Sequence, residues 1–394
     1  MRYASITDRL AGMGGAKWAV HARARALSAS GRDIIELTIG EPDVPTPEVL
    51  MDVAQRAMRA GRTGYSNGQG EAGLLNALAQ RYSARRGRKI TPGQIMCFPG
   101  TQTTLYATLT ALVETGDEVL IGDPMYATYE GLIRSTGATV VPVPLDPAHG
   151  FRMQAKDLAA RLTPRTKVIF LNSPHNPTGA VLRRADIVAI GQLAVAHDLW
   201  VVCDEVYEDL VFEGTDFASP LDYPEFSDRV VVASSISKSH AAPGFRSGWC
   251  VGPEAFSARL LPLSETILFG NQPFIADMTA TAVSVPSPVA AGMVARFSRR
   301  ADLIRDRLDG VAGLRVHVPE AGMFALLDVR ATGMTGTGFA LSLLDTVGVA
   351  AMPGESFGAA LGGWLRLALS QSDSRTADAC DRIASFAAML RGAA

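Results

Sequence analysis

Ser235-Ile236-Ser237-Lys238-Ser239-His240-Ala241-Ala242-Pro243-Gly244-Phe245-Arg246 follows, after one further serine, the apolar run Arg229-Val230-Val231-Val232-Ala233. Such a run reads as a buried strand. Lys238 thus sits just past a strand end, among small neighbours and eight residues ahead of an arginine. Alone it reads as a solvated loop residue. It is not alone: Asp204 ends a second apolar run, Leu199-Trp200-Val201-Val202-Cys203, and Ser173-Pro174-His175-Asn176-Pro177-Thr178-Gly179 follows a third, Val168-Ile169-Phe170-Leu171. Three dissimilar polar groups at three strand ends predict one site on the rim of a parallel sheet.

Outward from this core, from about residue 91 to 251, apolar strands at 94–98, 118–121, 139–143, 168–171 and 199–204 alternate with amphipathic segments at 101–113, 126–134 and 183–197. That alternation predicts an α/β fold, a mostly parallel sheet flanked by helices. Beyond Pro273 the pattern changes to helices at 274–283 and 289–308, then strands at 314–317, 323–328 and 364–369 mixed with helices at 338–344 and 375–390. This predicts a smaller α+β domain, joined by the amino-terminal segment through 33–39. The expected division is an arm and part of the small domain over 1–45, a large domain over 46–285 and a small carboxy-terminal domain over 286–394. Ser284-Val285-Pro286-Ser287-Pro288 is the expected hinge and helix breaker. Gly68-Gln69-Gly70-Glu71-Ala72-Gly73 spells GxGxxG, but it follows Thr63-Gly64-Tyr65-Ser66-Asn67 rather than an apolar strand. It therefore reads as a turn entering a helix, not a dinucleotide fingerprint.

The 394 residues suffice for two domains. A formal net charge of −2 without a dense basic run argues against a nucleic-acid partner. Cys97, Cys203, Cys250 and Cys380 lie far apart with no CxxC pair, which fits buried thiols in a reducing cytoplasm. No stretch of 18 apolar residues and no sorting signal is visible, so a soluble protein without a membrane segment is expected. His175 and His240 lack metal-ligand spacing, and no metal is expected.

Together these segments resemble the fold-type I pyridoxal-phosphate aminotransferases of class I/II, from about residue 35 to 390. The Lys238 segment matches that family's attachment motif, including the spacing to Arg246. The resemblance implies an aspartate-aminotransferase-like architecture, pyridoxal 5′-phosphate as cofactor, an L-amino acid and a 2-oxo acid as substrates, and a homodimer with shared active sites. Lys238 would be the amine that condenses with the cofactor aldehyde and later moves the α-proton. Asp204 would hold the pyridine nitrogen protonated; its ordinary alternative is a helix N-cap. Asn176 and Tyr207 resemble the donors to the phenolic oxygen.

Gly100-Thr101-Gln102, opening a helix, would hold the phosphate with Ser237 and Arg246. Tyr65 resembles the tyrosine that reaches the phosphate from the neighbouring subunit. Tyr126 would stack on the ring, with core packing as its rival. Arg366, alternating with Leu365 and Leu367, would grip the substrate α-carboxylate; a solvent-facing edge-strand arginine is the alternative. Gly40 resembles the loop glycine beside that carboxylate. Ser239-His240 stands where the family often has Met-Thr, and Phe245 where tryptophan is common.

The opening Met1-Arg2-Tyr3, Ala16-Lys17-Trp18-Ala19-Val20-His21 and Ala321-Gly322-Met323-Phe324 look most like the arginine–pyruvate transaminases, which implies a basic donor and pyruvate as acceptor. The opening segment is a candidate lid over the pocket, with packing as the other reading of Trp18 and His21. Two other outcomes stay open at this level: a pyridoxal-phosphate-dependent C–S β-lyase on the same scaffold, and a non-enzymatic aminotransferase-like regulator module.

Overall fold

A computed structural model describes residues 2–13 and 15–392; Met1, Gly14, Ala393 and Ala394, part of the opening and terminal segments named above, lie outside them. Among the described residues twelve strands form two sheets. They are β1 (Ile35–Leu37), β2 (Ile95–Phe98), β3 (Glu118–Asp123), β4 (Thr139–Pro144), β5 (Thr166–Asn172), β6 (Trp200–Asp204), β7 (Val230–Ser235), β8 (Gly248–Val251), β9 (Arg315–His317), β10 (Phe324–Asp328), β11 (Val349–Pro353) and β12 (Trp364–Ala368).

The seven-stranded sheet has the order β2-β8-β7-β6-β5-β3-β4, and only β8 runs against the rest. Its centre is buried on both faces, which is why its strands are unbroken apolar runs rather than alternating ones. Along β6, Val201 and Cys203 join one core cluster while Val202 joins another on the opposite face. β5 divides the same way, Ile169 and Leu171 against Val168 and Phe170. Each of these valine, leucine, isoleucine and phenylalanine side chains contributes about 1.5–3 kcal/mol of apolar burial. Helices Thr101–Leu112 and Tyr129–Ser135 cover one face, whereas Ala72–Arg86 and Pro273–Val283 pack on the other cluster.

The five-stranded sheet has the order β1-β11-β12-β10-β9, with β1 parallel to β11 and the other pairs antiparallel. Helices Ala290–Leu308 and Asp373–Gly392 pack on its outer face. Its inner face turns toward the rim of the larger sheet: Leu326 and Met352, the register partners of Arg366, belong to the larger sheet's cluster. The segment 284–288 interrupts two helices as expected, and Ser287 Oγ accepts the Ala290 amide while donating to the Ser239 carbonyl. The 68–73 glycine pattern enters the helix starting at Ala72, as a turn. No helix among the described residues is long and apolar enough to cross a membrane, and no group of metal-ligating side chains is found among them.

Candidate active site

β5, β6 and β7 are adjacent and parallel, with Asn172 in register with Asp204 and Asp204 with Ala233. Neighbouring strands lie about 4.8 Å apart. The residues just past their carboxyl ends are therefore brought to one place, and a cavity of about 260 Å³ opens there. Gly40, Thr101, Gln102, Tyr126, Asn176, Asp204, Tyr207, Ser237, Lys238, Arg246 and Arg366 all line it. Two predicted residues do not. Gly100 sits behind Arg246, and Tyr65 is 97% exposed beside Phe269, outside the cavity.

Lys238 lies on the single helical turn Ile236–Ser239, started by Ser235, whose hydroxyl accepts the Ser237 amide. Its Nζ donates to the Gly40 carbonyl at 2.7 Å. Burial pushes the amine down to about 8; Glu41 opposes this, and Arg366 and Arg246 add to it. The lowered value raises the uncharged share of the amine near neutral pH, the form a nucleophile requires.

Asp204 is buried, and burial raises its carboxyl to about 6. Oδ1 accepts the Val206 amide at 3.0 Å and Oδ2 accepts the Tyr129 hydroxyl at 2.8 Å. The residues after it form turns rather than a helix, so the N-cap alternative does not hold. Among the described residues its partners are these two neutral donors, which leaves the carboxylate free to pair with a cation on a ligand.

Arg366 is 1% exposed on β12, between β10 and β11, so it is not an edge-strand arginine facing solvent. Its guanidinium is sandwiched by Phe324 at 3.9 Å and Phe357 at 4.5 Å. It donates to Asn176 Oδ1 at 3.1 Å and to the Thr38 carbonyl at 2.5 Å, both neutral oxygens, and its Nε has no partner among the described residues. Burial lowers its pKa to about 10, still a cation at neutral pH. A buried cation of this kind suits an incoming carboxylate.

At the far end, Gly100 (φ +85°) caps helix 101–112, and a Cβ there would stand 2.2 Å from the Arg246 guanidinium. Gly248 allows the close approach of β8, since a Cβ on it would stand 2.7 Å from the Thr101 amide nitrogen. Arg246 adopts the left-handed region at φ 51°, a strained state for a non-glycine residue, which aims its side chain back along this helix end. Thr101 Oγ1 is buried without a partner among the described residues. Free amides, an orphan hydroxyl and a guanidinium together suit a phosphate-like anion.

Three residues that sequence reasoning missed complete the site. Tyr129 bridges Asp204 and the ring of Tyr126, which it meets edge-on at 5.4 Å; its only sequence signal is helical spacing from Tyr126. Asn172, the polar end of β5, donates to the carbonyls of Asp204 and Pro174 and accepts the Asn176 amide. Phe324 touches both Arg366 and Gly40: a Cβ on Gly40 would stand 2.2 Å from its ring. The opening segment reaches the cavity through Trp18, and Lys17 ties it down by donating to the Ala127 carbonyl and Glu130.

Comparisons with known proteins give the family of the chain. The family described as aminotransferase class I and II matches residues 32–383. The chain is 42% identical to the arginine–pyruvate transaminase AruH of Pseudomonas aeruginosa over the whole of both chains. It is 34% identical to an aspartate/prephenate aminotransferase of Cereibacter sphaeroides, covering 94% of this chain and 96% of that one. The solved aspartate aminotransferase of Thermus thermophilus with maleate superposes with a TM-score of 0.90 at 31% identity, over 98% of this chain and 100% of that one. On this family match, these relatives and the shared fold, the chain belongs to the class I and II aminotransferases and is a transaminase of the aspartate-aminotransferase-like α/β fold.

Proposed function

We propose that the cavity binds pyridoxal 5′-phosphate and uses it to move an amine from an L-amino acid to a 2-oxo acid. The observation that carries this reading is the pairing, in one cavity, of a buried lysine amine with lowered pKa and a buried carboxylate that has only neutral partners. The residues fit the cofactor at every functional end: Gly100, Thr101, Ser237 and Arg246 for the phosphate, Asp204 for the ring nitrogen, Tyr126 for the ring face, and Asn176 with Tyr207 for the phenolic oxygen. Bound there, the cofactor supplies an aldehyde that takes up the donor's amine and an electron-withdrawing ring that spreads charge from the α-carbon.

The protein's own part follows from its side chains. Arg366 holds the substrate carboxylate and so sets which bond at the α-carbon faces the reactive groups. Lys238 Nζ, with its pKa near working pH, takes the α-proton and returns it one position along. Asp204 keeps the ring nitrogen protonated, and Tyr129 holds Asp204 in place. The phenol of Tyr207, pushed up by burial, stays a neutral donor.

For substrates, the full-length similarity to a transaminase named for arginine and pyruvate supports a basic amino donor with pyruvate as acceptor. The exposure of Tyr65, away from its own cavity, supports a homodimer in which it serves the partner's phosphate site. The two sheets support the division into 1–45, 46–285 and 286–394, and four buried free thiols support a reducing, cytoplasmic setting. A donor screen with pyruvate and 2-oxoglutarate tests the reading. New 2-oxo acid that depends on added acceptor, with arginine among the best donors, is expected. Acceptor-independent ammonia and pyruvate from a sulfur amino acid would instead mark a β-lyase.

A further inference from the structure

The loop between β1 and Pro47 joins the two halves of the site. Gly40 gives its carbonyl to Lys238 Nζ, and Thr46 Oγ1 donates to the Ala241 carbonyl, three residues beyond that lysine. Phe324, packed on Gly40, faces the Arg366 guanidinium. The loop's own anchor is Asp43. Arg296 grips it with two bonds of 2.8 Å, and Arg300 adds a third at 2.7 Å. Arg300 is itself buried and bound to the Leu369 carbonyl and Asp373. Both arginines belong to helix 290–308, which packs on the five-stranded sheet. The Lys238 amine sits on the rim of the seven-stranded sheet, yet the carbonyl that orients it is bolted to the other half of the molecule.

We propose that Asp43 is a positioning residue whose clamp by Arg296 and Arg300 holds the Gly40 carbonyl over the Lys238 amine. The clamp thereby ties the reactive amine to the packing of the five-stranded half. A bidentate, largely buried ion pair suits this task, because losing the acid strips Arg296 of its carboxylate, leaves Arg300 with Asp373 alone and frees the loop from its anchor. Pro42, one residue from Asp43, limits the loop's freedom between clamp and carbonyl. This inference rests on the reading of Lys238 as the reactive amine.

The chain has only five lysines, Lys17, Lys89, Lys156, Lys167 and Lys238, and Lys89, Lys156 and Lys167 are exposed. Trace acetylation with acetic anhydride, read peptide by peptide on the full-length protein without cofactor, therefore has internal references. In D43N the labelling of Lys238 relative to Lys156 should rise severalfold. R296Q should act in the same direction more weakly, since Arg300 still holds Asp43. R299Q, which removes a neighbouring arginine that bonds Asp373 alone, should leave it unchanged. The kcat of D43N should fall on the order of tenfold, short of the hundredfold that a 1 Å misplacement can cost. A role confined to overall stability would lower the melting temperature and leave the Lys238 ratio untouched. Unchanged ratios in folded D43N and R296Q overturn the proposal. Pyridoxal 5′-phosphate should protect Lys238 in the parent protein; lack of protection overturns the cofactor reading itself.

Discussion

Two buried charged regions lie within a few residues of one another and are built on opposite principles. Behind Asp204, helix 72–86 presents Arg81, Arg85 and Arg86 to Glu205, Glu208 and Asp209, and every cation there has at least one carboxylate within 3.5 Å. Arg86 also lies over the rings of Tyr82 and Phe217. In front of Asp204, Arg366 meets only neutral oxygens and phenyl rings, and Lys238 meets a carbonyl. The first region closes its charges within the chain and holds the turn that carries Asp204 and Tyr207. The second leaves Arg366 and Lys238 without a carboxylate bond among the described residues, and on the proposed reading they serve a ligand. Burial alone does not distinguish the two; the identity of the partners does.

The largest effect should come from the open region. Lys238→Ala should cut turnover by at least about 10⁴-fold, the upper end of a general acid/base contribution, because attachment is lost as well. Steady-state assays together with a normal far-UV spectrum check this. In the closed region, Arg86→Met should cost about 3–5 kcal/mol of stability, since Glu205 and Glu208 lose a buried partner. Urea titration measures it.

Arg366→Met makes the sharper contrast. Without cofactor it should be as stable as the parent or more so, while kcat/KM falls about 10²–10³-fold, the range for a lost buried charge pair. If its stability loss matched that of Arg86→Met, the distinction between the two regions would fail.

The smallest effect concerns Asp204→Asn in the cofactor-free protein. The folded carboxyl is raised to about 6 from 3.8, so between those values the folded state binds more protons than the unfolded, and parent stability falls as pH rises. The asparagine variant has no such loss. The two proteins should melt alike near pH 4, and from pH 6 upward the variant should be more stable by about 1–3 kcal/mol. A gap that opens as pH falls would have the wrong sign.

The central sheet was legible because burial on both faces leaves uninterrupted apolar runs, and because Lys238, Asp204 and Asn176 each punctuate such a run. Arg366 was legible by strand alternation, though only the placement of β12 between two partners decides that it is buried. Tyr129 carries only a helical signal in the sequence, since its bond to Asp204 spans 75 residues. The Asp43 clamp is harder still. Arg300 lies 257 residues away, and nothing local separates it from Arg299, which turns outward. Contacts fixed by packing between the two sheets leave no periodicity to read.

The most direct test is to reduce the protein with borohydride in the presence of pyridoxal 5′-phosphate and map the added mass by peptide mass spectrometry. The account expects the cofactor's mass on Lys238 and on none of the other four lysines. A protein that gains no mass, or one labelled as readily on exposed Lys156 as on Lys238, would contradict it.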